Sequence, residues 1–447
     1  MLFKKIELWV LILIFLIFIV FTILFGAILR DHYLGNKKLP NVQKIATFLA
    51  EIPSNIFKYK LLVKGDTPPV LFKHKNKKRF ERFIDSNSNK LLILPRYDGN
   101  INRSVVEIID IDTFEILHTY KHNINKLNQL IRTDNVEHKN IKINQSESRF
   151  IYLHPLILDD GALVSSHEYG PLFKIDFCSN ILWINQEEVF HHSKEYDPNN
   201  EHFWVPAKLF PHSKYINKKK LKINFSDDAI AKVDLNGNII FIKSVSEMLI
   251  ENNILSEGDL FTSNDTSNDP IHLNDIQPVF NSSEYMKKGD LFLSLRSQNS
   301  IVHYRPSNNQ IVNYIKGPFY VQHDVDVISD HEISIFNNND SILENSKYSE
   351  IVIYNLKEKK FNNFLFKNNF KSKTQGRFEV LKDGSMLVEE TDHGRLIFYN
   401  NKGDKEWEFV NKDAKGNVYL LTWSRIIENA NQVENIRNII KNTKCTK

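Results

Sequence analysis

From residue 89 onward the chain repeats one pattern, in which short apolar runs are broken by Asp-Gly, Asn-Gly and similar turns. Such punctuation marks many short antiparallel strands. The unit is a strand, a turn with Gly or Asp, two further strands, and a fourth ending in an aromatic. Leu91–Tyr120 is the first copy. Ile151–Trp183 carries ILDDGALVSS, GPLFKID and NILWI, and His192–Val245 carries WVPAKLF, AIAKVD and NGNIIFIK. Ile276–Ile315, Gln322–Phe366 and Gln375–Val410 complete six copies. Their spacing of roughly 40–55 residues matches four-strand propeller blades. The expected fold is therefore all-β, a six-bladed β-propeller over residues 89–425; stacked β-sandwiches explain the recurrence of whole units less well.

A second feature lies outside the repeat. Leu8 to Leu29 is 22 residues without a charge. As a helix it would be about 33 Å long, enough to cross a hydrocarbon core of about 30 Å. It is longer than the apolar part of a cleavable signal and ends without a small-x-small site. We read residues 1–30 as an uncleaved signal-anchor transmembrane helix rather than a buried core helix. Lys4 and Lys5 precede it and Arg30, Lys37 and Lys38 follow, so the flanking charges barely discriminate orientation. Residues 31–88 form a juxtamembrane stretch. Val42, Ile45, Ala46, Leu49 and Ile52 predict a short helix before Pro53. The basic run Lys73–Arg82 reads as a solvated linker, or as a contact for anionic headgroups. Ser244–Asp269 reads as an insertion, helical at first and polar at its end. Lys214–Lys222 reads as a basic loop, and 426–447 as a C-terminal helix and tail.

The charges, 58 basic against 54 acidic, are mixed rather than striped, which argues against a nucleic-acid partner. Two cysteines allow at most one bridge, so the ring is expected to be closed by its own strands. The chain has sixteen histidines, and several fall at unit boundaries: His191-His192, His272 in DPIHLND, His323 in QHDVDV and His393 in TDHGRL. A propeller could bring them to one rim. Arg296, Arg377 and Arg395 begin or follow strands, where guanidinium groups could hold a sulfate, phosphate or carboxylate, or simply pair with Glu. No helical metal-ligand spacing, P-loop, nucleophile elbow or dinucleotide fingerprint occurs; no metal and no cofactor is expected.

QHDVDVISDHEISIFNN, DPIHLNDIQPVF, GDLFLSLRSQNSIVHYR, HEYGPLFKID, VFHHS and GRFEVLKDGSMLVEE together resemble the bacterial arylsulfate sulfotransferases over roughly residues 150–425. That resemblance implies a six-bladed propeller that passes a sulfuryl group from an aryl sulfate to a phenol through a sulfated histidine. Signal-anchor precedent, with no second span after Leu29, leads us to expect a single-pass protein of a bacterial inner membrane with its bulk on the periplasmic side. His272, with Asn274 beside it, and His323, with Asp324, match family positions and are expected to hold oxygens or move protons. His192, Arg296, Arg377 and Arg395 are further expected substrate contacts. Two positions depart from the pattern. Gln375, in Thr374-Gln375-Gly376, stands where the nucleophilic histidine is expected, and Glu350 stands near an expected arginine. His393 is a possible replacement nucleophile. A non-catalytic propeller binding an envelope ligand or partner is the alternative reading, and a metal-dependent hydrolase or lyase a weaker third. The oligomeric state is not readable from the sequence.

Overall fold

The computed structural model describes residues 7–33, 39–63, 70–74, 78–132, 146–197, 201–214, 225–256, 260, 269–340, 348–364 and 370–445. The basic loop 215–222, residues 263–268 of the insertion and residues 75–77 of the basic run lie outside these. The chain divides into two compact units, Met1–Thr67 and Pro68–Lys447.

The first unit is helical. Helix α1, Leu8–Tyr33, is long and apolar enough to cross a membrane, with a mean hydropathy of 3.3 over its best window. Helix α2, Pro40–Val63, is longer than expected. It does not stop at Pro53 but carries the residue inside, doing without that one backbone N–H.

The second unit is a propeller-like ring of antiparallel sheets. Sheet I runs Arg425–Ile427, Leu91–Asp98, Arg103–Asp110, Ile116–Tyr120, so a C-terminal strand completes an N-terminal sheet. Sheet III is Leu273–Pro278, Leu291–Leu295, Ser300–Arg305 and Gln310–Lys316. Sheet IV is Val325–Val327, Glu332–Asn337, Glu350–Asn355 and Lys360–Phe364. Sheet V orders Arg377–Val380, Met386–Glu390, Arg395–Tyr399 and Lys405–Val410, and Phe80–Arg82 is added at its outer edge. Val70–Lys73 pairs with Asn417–Tyr419, so part of the expected linker is built into the strands. These four sheets are blades.

Two of the expected units are not separate. Sheet II is eight-stranded, running from Leu153–Ile157 to Ile239–Ser244. Its halves join because the ten-residue strand Ile181–Phe190 outruns its own hairpin, and Phe190 and Val189 pair with Ala207 and Lys208 of His202–Lys208. The turns follow their sequences. Gly237 takes φ +88°, and a Cβ there would sit 2.7 Å from the Trp183 ring, so only glycine fits.

The core closes the ring. Five buried apolar clusters each bridge successive sheets: Leu163 and Phe173 with Ile108, Trp204 with Leu293, Phe292 with Ile335, Phe336 with Val388, and Phe398 with Ile109. A sixth, with Leu172 and Val205, lies between the halves of sheet II. Helix α3 (Ile124–Leu130) packs Leu127 into the first cluster, and α4 (Val245–Glu251) packs Met248 into the second. The expected C-terminal helix is present as α5, Ala430–Asn442, which buries Val433 and Ile436 against sheets I and II. That docking carries Cys445 to Cys178, and the two form a disulfide across a sequence separation of 267 residues. The strands do not close the fold alone, as the low cysteine count had suggested.

Buried side-chain oxygens stitch neighbouring sheets through backbone N–H groups. Tyr152 N donates to Ser104 Oγ at 3.2 Å, and Leu273 N to Asp228 Oδ2 at 2.7 Å. Val325 N donates to Asp275 Oδ2 at 2.9 Å, and Phe378 N to Asp324 Oδ2 at 2.8 Å. Trp423 N and Ser424 N donate to the two oxygens of Glu389 at 2.8 and 2.6 Å. All five acceptors are buried, and a buried N–H stripped of its acceptor costs about 1–3 kcal/mol. Glu389→Ala, which orphans two, should therefore destabilise the chain by roughly 2–5 kcal/mol, whereas Glu389→Gln, which keeps an acceptor, should cost markedly less. Denaturant midpoints for the two variants check this; equal midpoints would remove the stitch from the account.

Candidate functional site

The strand that opens each sheet lies at the inside of the ring. Leu273–Pro278 contacts Val325–Val327 on one side and His202–Lys208 on the other. Around this inner edge the backbone repeatedly turns left-handed at residues other than glycine: His154 (φ +41°), His192 (+48°), His272 (+50°), Val321 (+59°), Gln375 (+53°) and Trp423 (+64°). Each such residue costs on the order of 1–3 kcal/mol and persists only where its surroundings hold it. The stitches do so: Asp228 grips the residue after His272, Ser104 the residue before Leu153-His154, and Glu389 grips Trp423 itself.

Three of these strained residues are histidines, and their rings meet. His192 is central: its ring centroid lies 5.0 Å from His191, 5.4 Å from His272, 6.0 Å from His154 and 6.4 Å from His323. His154 stacks on Trp423 at 4.0 Å. The Gln375 side chain is its polar neighbour, and among the described residues the buried Asn274 Oδ1 has no hydrogen bond.

The tautomers follow from the partners. His323 Nδ1 faces two oxygens, Asn338 Oδ1 at 2.7 Å and Val321 O at 3.0 Å, so it carries the proton. His323 Nε2 then accepts the Gln375 backbone N–H at 3.1 Å. His272 Nδ1 is 2.9 Å from Asp269 Oδ2, which leaves its Nε2 as the lone-pair nitrogen of a carboxylate–imidazole pair. Burial works against the Asp269 carboxylate, but the His272 hydrogen bond and the Lys208 charge outweigh it and hold the acid below its usual range. Burial, reinforced by neighbouring positive charge, keeps His154 and His192 well below the ordinary imidazole value. His323 is pushed down to about 3, mainly by burial. His154, His192 and His323 are thus held as neutral imidazoles.

Several cations act on these rings, Lys194 and Arg425 at His154 and Arg296 at His323 among them. Arg296 begins the single turn after Leu291–Leu295, its backbone N–H bonded to His272 O at 3.0 Å. Its guanidinium makes no ion pair or hydrogen bond among the described residues, and its charge is felt at His323. Lys208 lies 4.2 Å over the Tyr169 ring and 3.7 Å from Asp269.

Residues 154–412 match the arylsulfotransferase (ASST) family model. The chain belongs to the arylsulfotransferase family. A comparison with curated proteins gives no match. Among solved structures, a Bacteroides caccae protein of unknown function aligns at 11% identity and TM-score 0.47, over 76% of this chain and 99% of its own. A catalytically inactive virginiamycin B lyase from Staphylococcus aureus, solved with quinupristin, aligns at 9% identity and TM-score 0.38, over 74% and 87%.

For an arylsulfotransferase family member, the geometry sorts the expected residues. It gathers His192, His272 and His323, with Arg296 and Asn274 at their edge. Asn274 Nδ2 donates to Gln322 O at 2.7 Å. Asp324 is absorbed by its stitch to Phe378, and Arg377 is buried on Ser424 O at 2.8 Å and beside Glu379. Arg395 pairs with Glu390 and Glu408 at 2.9 and 3.1 Å. His393 sits in a single turn against the Phe72 ring, 5.8 Å away, and makes no ring contact with the cluster. His154 and Asp269 were not singled out from the sequence. His154 sits alone in the apolar run YLHPLIL and reads as a core residue; Asp269, three residues before His272, was a visible signal. Among the described residues no group of three or more His, Cys, Asp or Glu is placed to hold a metal ion.

The neutral state of His323 sets a pH dependence. Its folded value lies below the ordinary 6.5, so the unfolded chain takes up a proton that the folded chain refuses. Its contribution to stability is complete above about 6.5 and is lost as pH falls toward 3. By pH 4.5, two units below the unfolded value, the loss should amount to roughly 3 kcal/mol. His323→Gln should lose correspondingly less stability than wild type between pH 6.5 and 4.5, as read from denaturant midpoints at the two values.

Proposed function

We propose that the chain moves a sulfuryl group from an aryl sulfate to a phenolic acceptor in the space ringed by His154, His192, His272, His323 and Arg296. The observation that carries this is the gathering of four imidazoles, three of them at left-handed backbone positions, beside a guanidinium without an ion pair among the described residues, in a member of this family. Arg296 suits a sulfuryl oxygen bidentately. His272, oriented by Asp269, is suited to take the acceptor phenol's proton. Neutral imidazoles are required of a nucleophile, since a protonated ring has no lone pair to offer. In this reading Asn274 lines the substrate space, Asp324 and Arg377 hold the inner strands, and His393 and Arg395 stand apart from the reacting atoms. The eight-stranded sheet serves as two blades, with the cluster between its halves as their shared core, which makes six around the channel.

The disulfide bears on location. Cys178–Cys445 belongs to an oxidising compartment, which supports α1 as an anchor with the propeller outside the cytoplasm. Protease added to spheroplasts of an expressing bacterium should then degrade the Pro68–Lys447 unit; full protection would place it inside.

The activity is tested on the full-length chain in detergent, with nitrophenyl sulfate as donor and a phenol as acceptor. His272→Ala should lower turnover by ~10²–10⁴-fold. Arg296→Ala should lower kcat/KM by ~10²-fold or more. Wild-type turnover no higher than that of the two variants would replace transfer by the binding reading.

A further inference from the structure

The transfer reading leaves a gap at Gln375, whose amide has no lone pair basic enough to take a sulfuryl group. Four imidazoles surround the gap, and their bonding differs. His323 has its Nε2 lone pair occupied by the Gln375 N–H. His272 is engaged with Asp269 as the acid–base pair. His154 lies flat on Trp423, its polar neighbour the Gln375 side chain, and no acid or second imidazole is bonded to it among the described residues. His192 alone is tied into a chain of groups. Its Nδ1 is 2.7 Å from His191 Nδ1, and His191 Nε2 is 3.5 Å from Asp228 Oδ1.

Only one proton fits between the two Nδ1 atoms. His191 Nε2 meets no hydrogen-bond geometry, but its nearest carboxylate oxygen is Asp228 Oδ1 at 3.5 Å, and that charge favours a proton on Nε2, which makes His191 Nδ1 the acceptor and His192 Nδ1–H the donor. His192 Nε2 therefore keeps its lone pair. The carboxylate cannot swing away, because Oδ2 accepts Leu273 N–H at 2.7 Å and Oδ1 accepts the Ser226 hydroxyl at 3.2 Å. His192 is held in place by its carbonyl, which accepts from the buried Lys194 Nζ at 3.0 Å. All of these groups are buried, and His192 is the ring that lies between the other imidazoles.

We propose that Asp228, His191 and His192 form a relay that presents His192 Nε2 as the sulfuryl acceptor of this chain. The proposal rests on the transfer reading and names its nucleophile. The lone pair of His192 Nε2 attacks sulfur, and the N–S bond forms as the S–O(aryl) bond breaks. The bonding pair departs with the phenolate. The sulfated ring gains a positive charge, relieved as its Nδ1 proton moves to His191 Nδ1 and the His191 Nε2 proton moves toward Asp228. In the second half, an acceptor phenol deprotonated by His272 attacks sulfur, the N–S pair returns to Nε2, the relay protons run back, and the proton on His272 passes to the phenolate released by the donor. No other reagent is needed. His192 is the catalytic residue; His191 and Asp228 are positioning residues.

The test mixes the full-length protein in detergent with nitrophenyl sulfate and no acceptor. The wild type should release a burst of one nitrophenolate per chain. Its digest should show the mass gain of an SO3 group on the peptide carrying His192, a result that needs no variant. His192→Gln should lose burst and adduct, with turnover down ~10²-fold or more. Asp228→Asn keeps an acceptor for Leu273 N–H but turns an NH2 toward His191. That reverses both tautomers and puts a proton on His192 Nε2, so kcat should fall ~10²-fold or more with KM unchanged. An adduct on His154, His272 or His323, or a full burst from His192→Gln, overturns the relay while leaving the transfer reading in place. A wild type that releases no nitrophenolate overturns both.

Discussion

Buried carboxylates that accept backbone N–H groups from the next sheet are the interaction on which this ring depends. An antiparallel sheet satisfies its own interior, but its innermost strand has one free edge, and in a propeller that edge faces other strand ends rather than water. Asp228, Asp275, Asp324 and Glu389 each fill such an edge on the neighbouring strand. Burial raises Asp275 and Asp324 well above the ordinary carboxyl value, and nearby Glu195 adds to it for both. A carboxyl kept neutral still accepts through its carbonyl oxygen, so these stitches survive a loss of charge.

The same device positions the chemistry. Left-handed residues stand within three positions of stitched amides at His154, His272, Gln375 and Trp423. Strain of this kind is stable only because two sheets grip each turn. It fixes ring directions more firmly than a loop could, which suits a reaction whose nucleophile and leaving group must be in line. Desolvation then does the electrostatic work. It keeps His154, His192 and His323 neutral, while among the described residues the Arg296 guanidinium makes no ion pair.

Much of the fold was legible because strand period and turn chemistry are local signals. The units beginning near Leu91, Ile276, Gln322 and Gln375 each became a blade. The unit near Ile151 did not separate cleanly from that near His192, because nothing in ILWINQEEVF announces that its last two residues pair with a different hairpin. Helix α2 outran Pro53, since a single missing N–H is a weaker constraint than the periodicity around it. The disulfide was not legible: two cysteines 267 residues apart become neighbours only once α5 docks. At the site, His272 and His323 were visible through their motifs, and His192 through its doublet. His154 was hidden by an apolar context that is equally that of a core residue.

Gln375 and His323 are joined through the main chain of residue 375 rather than through its side chain. The backbone N–H of Gln375, not its side chain, is what His323 Nε2 accepts, and the Gln375 carbonyl is what Asn338 Nδ2 reaches. The left-handed turn is thus held by main-chain contacts that any residue able to adopt φ +53° would make. The side chain at 375 was free to change, provided another imidazole in the ring already had a lone pair and a means of losing charge. His192 meets both conditions through His191 and Asp228, and Asp228 is the carboxylate that also stitches sheet II to sheet III beside His272. A residue needed for folding therefore also sets the tautomer of the ring at the centre of the site, and the two roles constrain its position together.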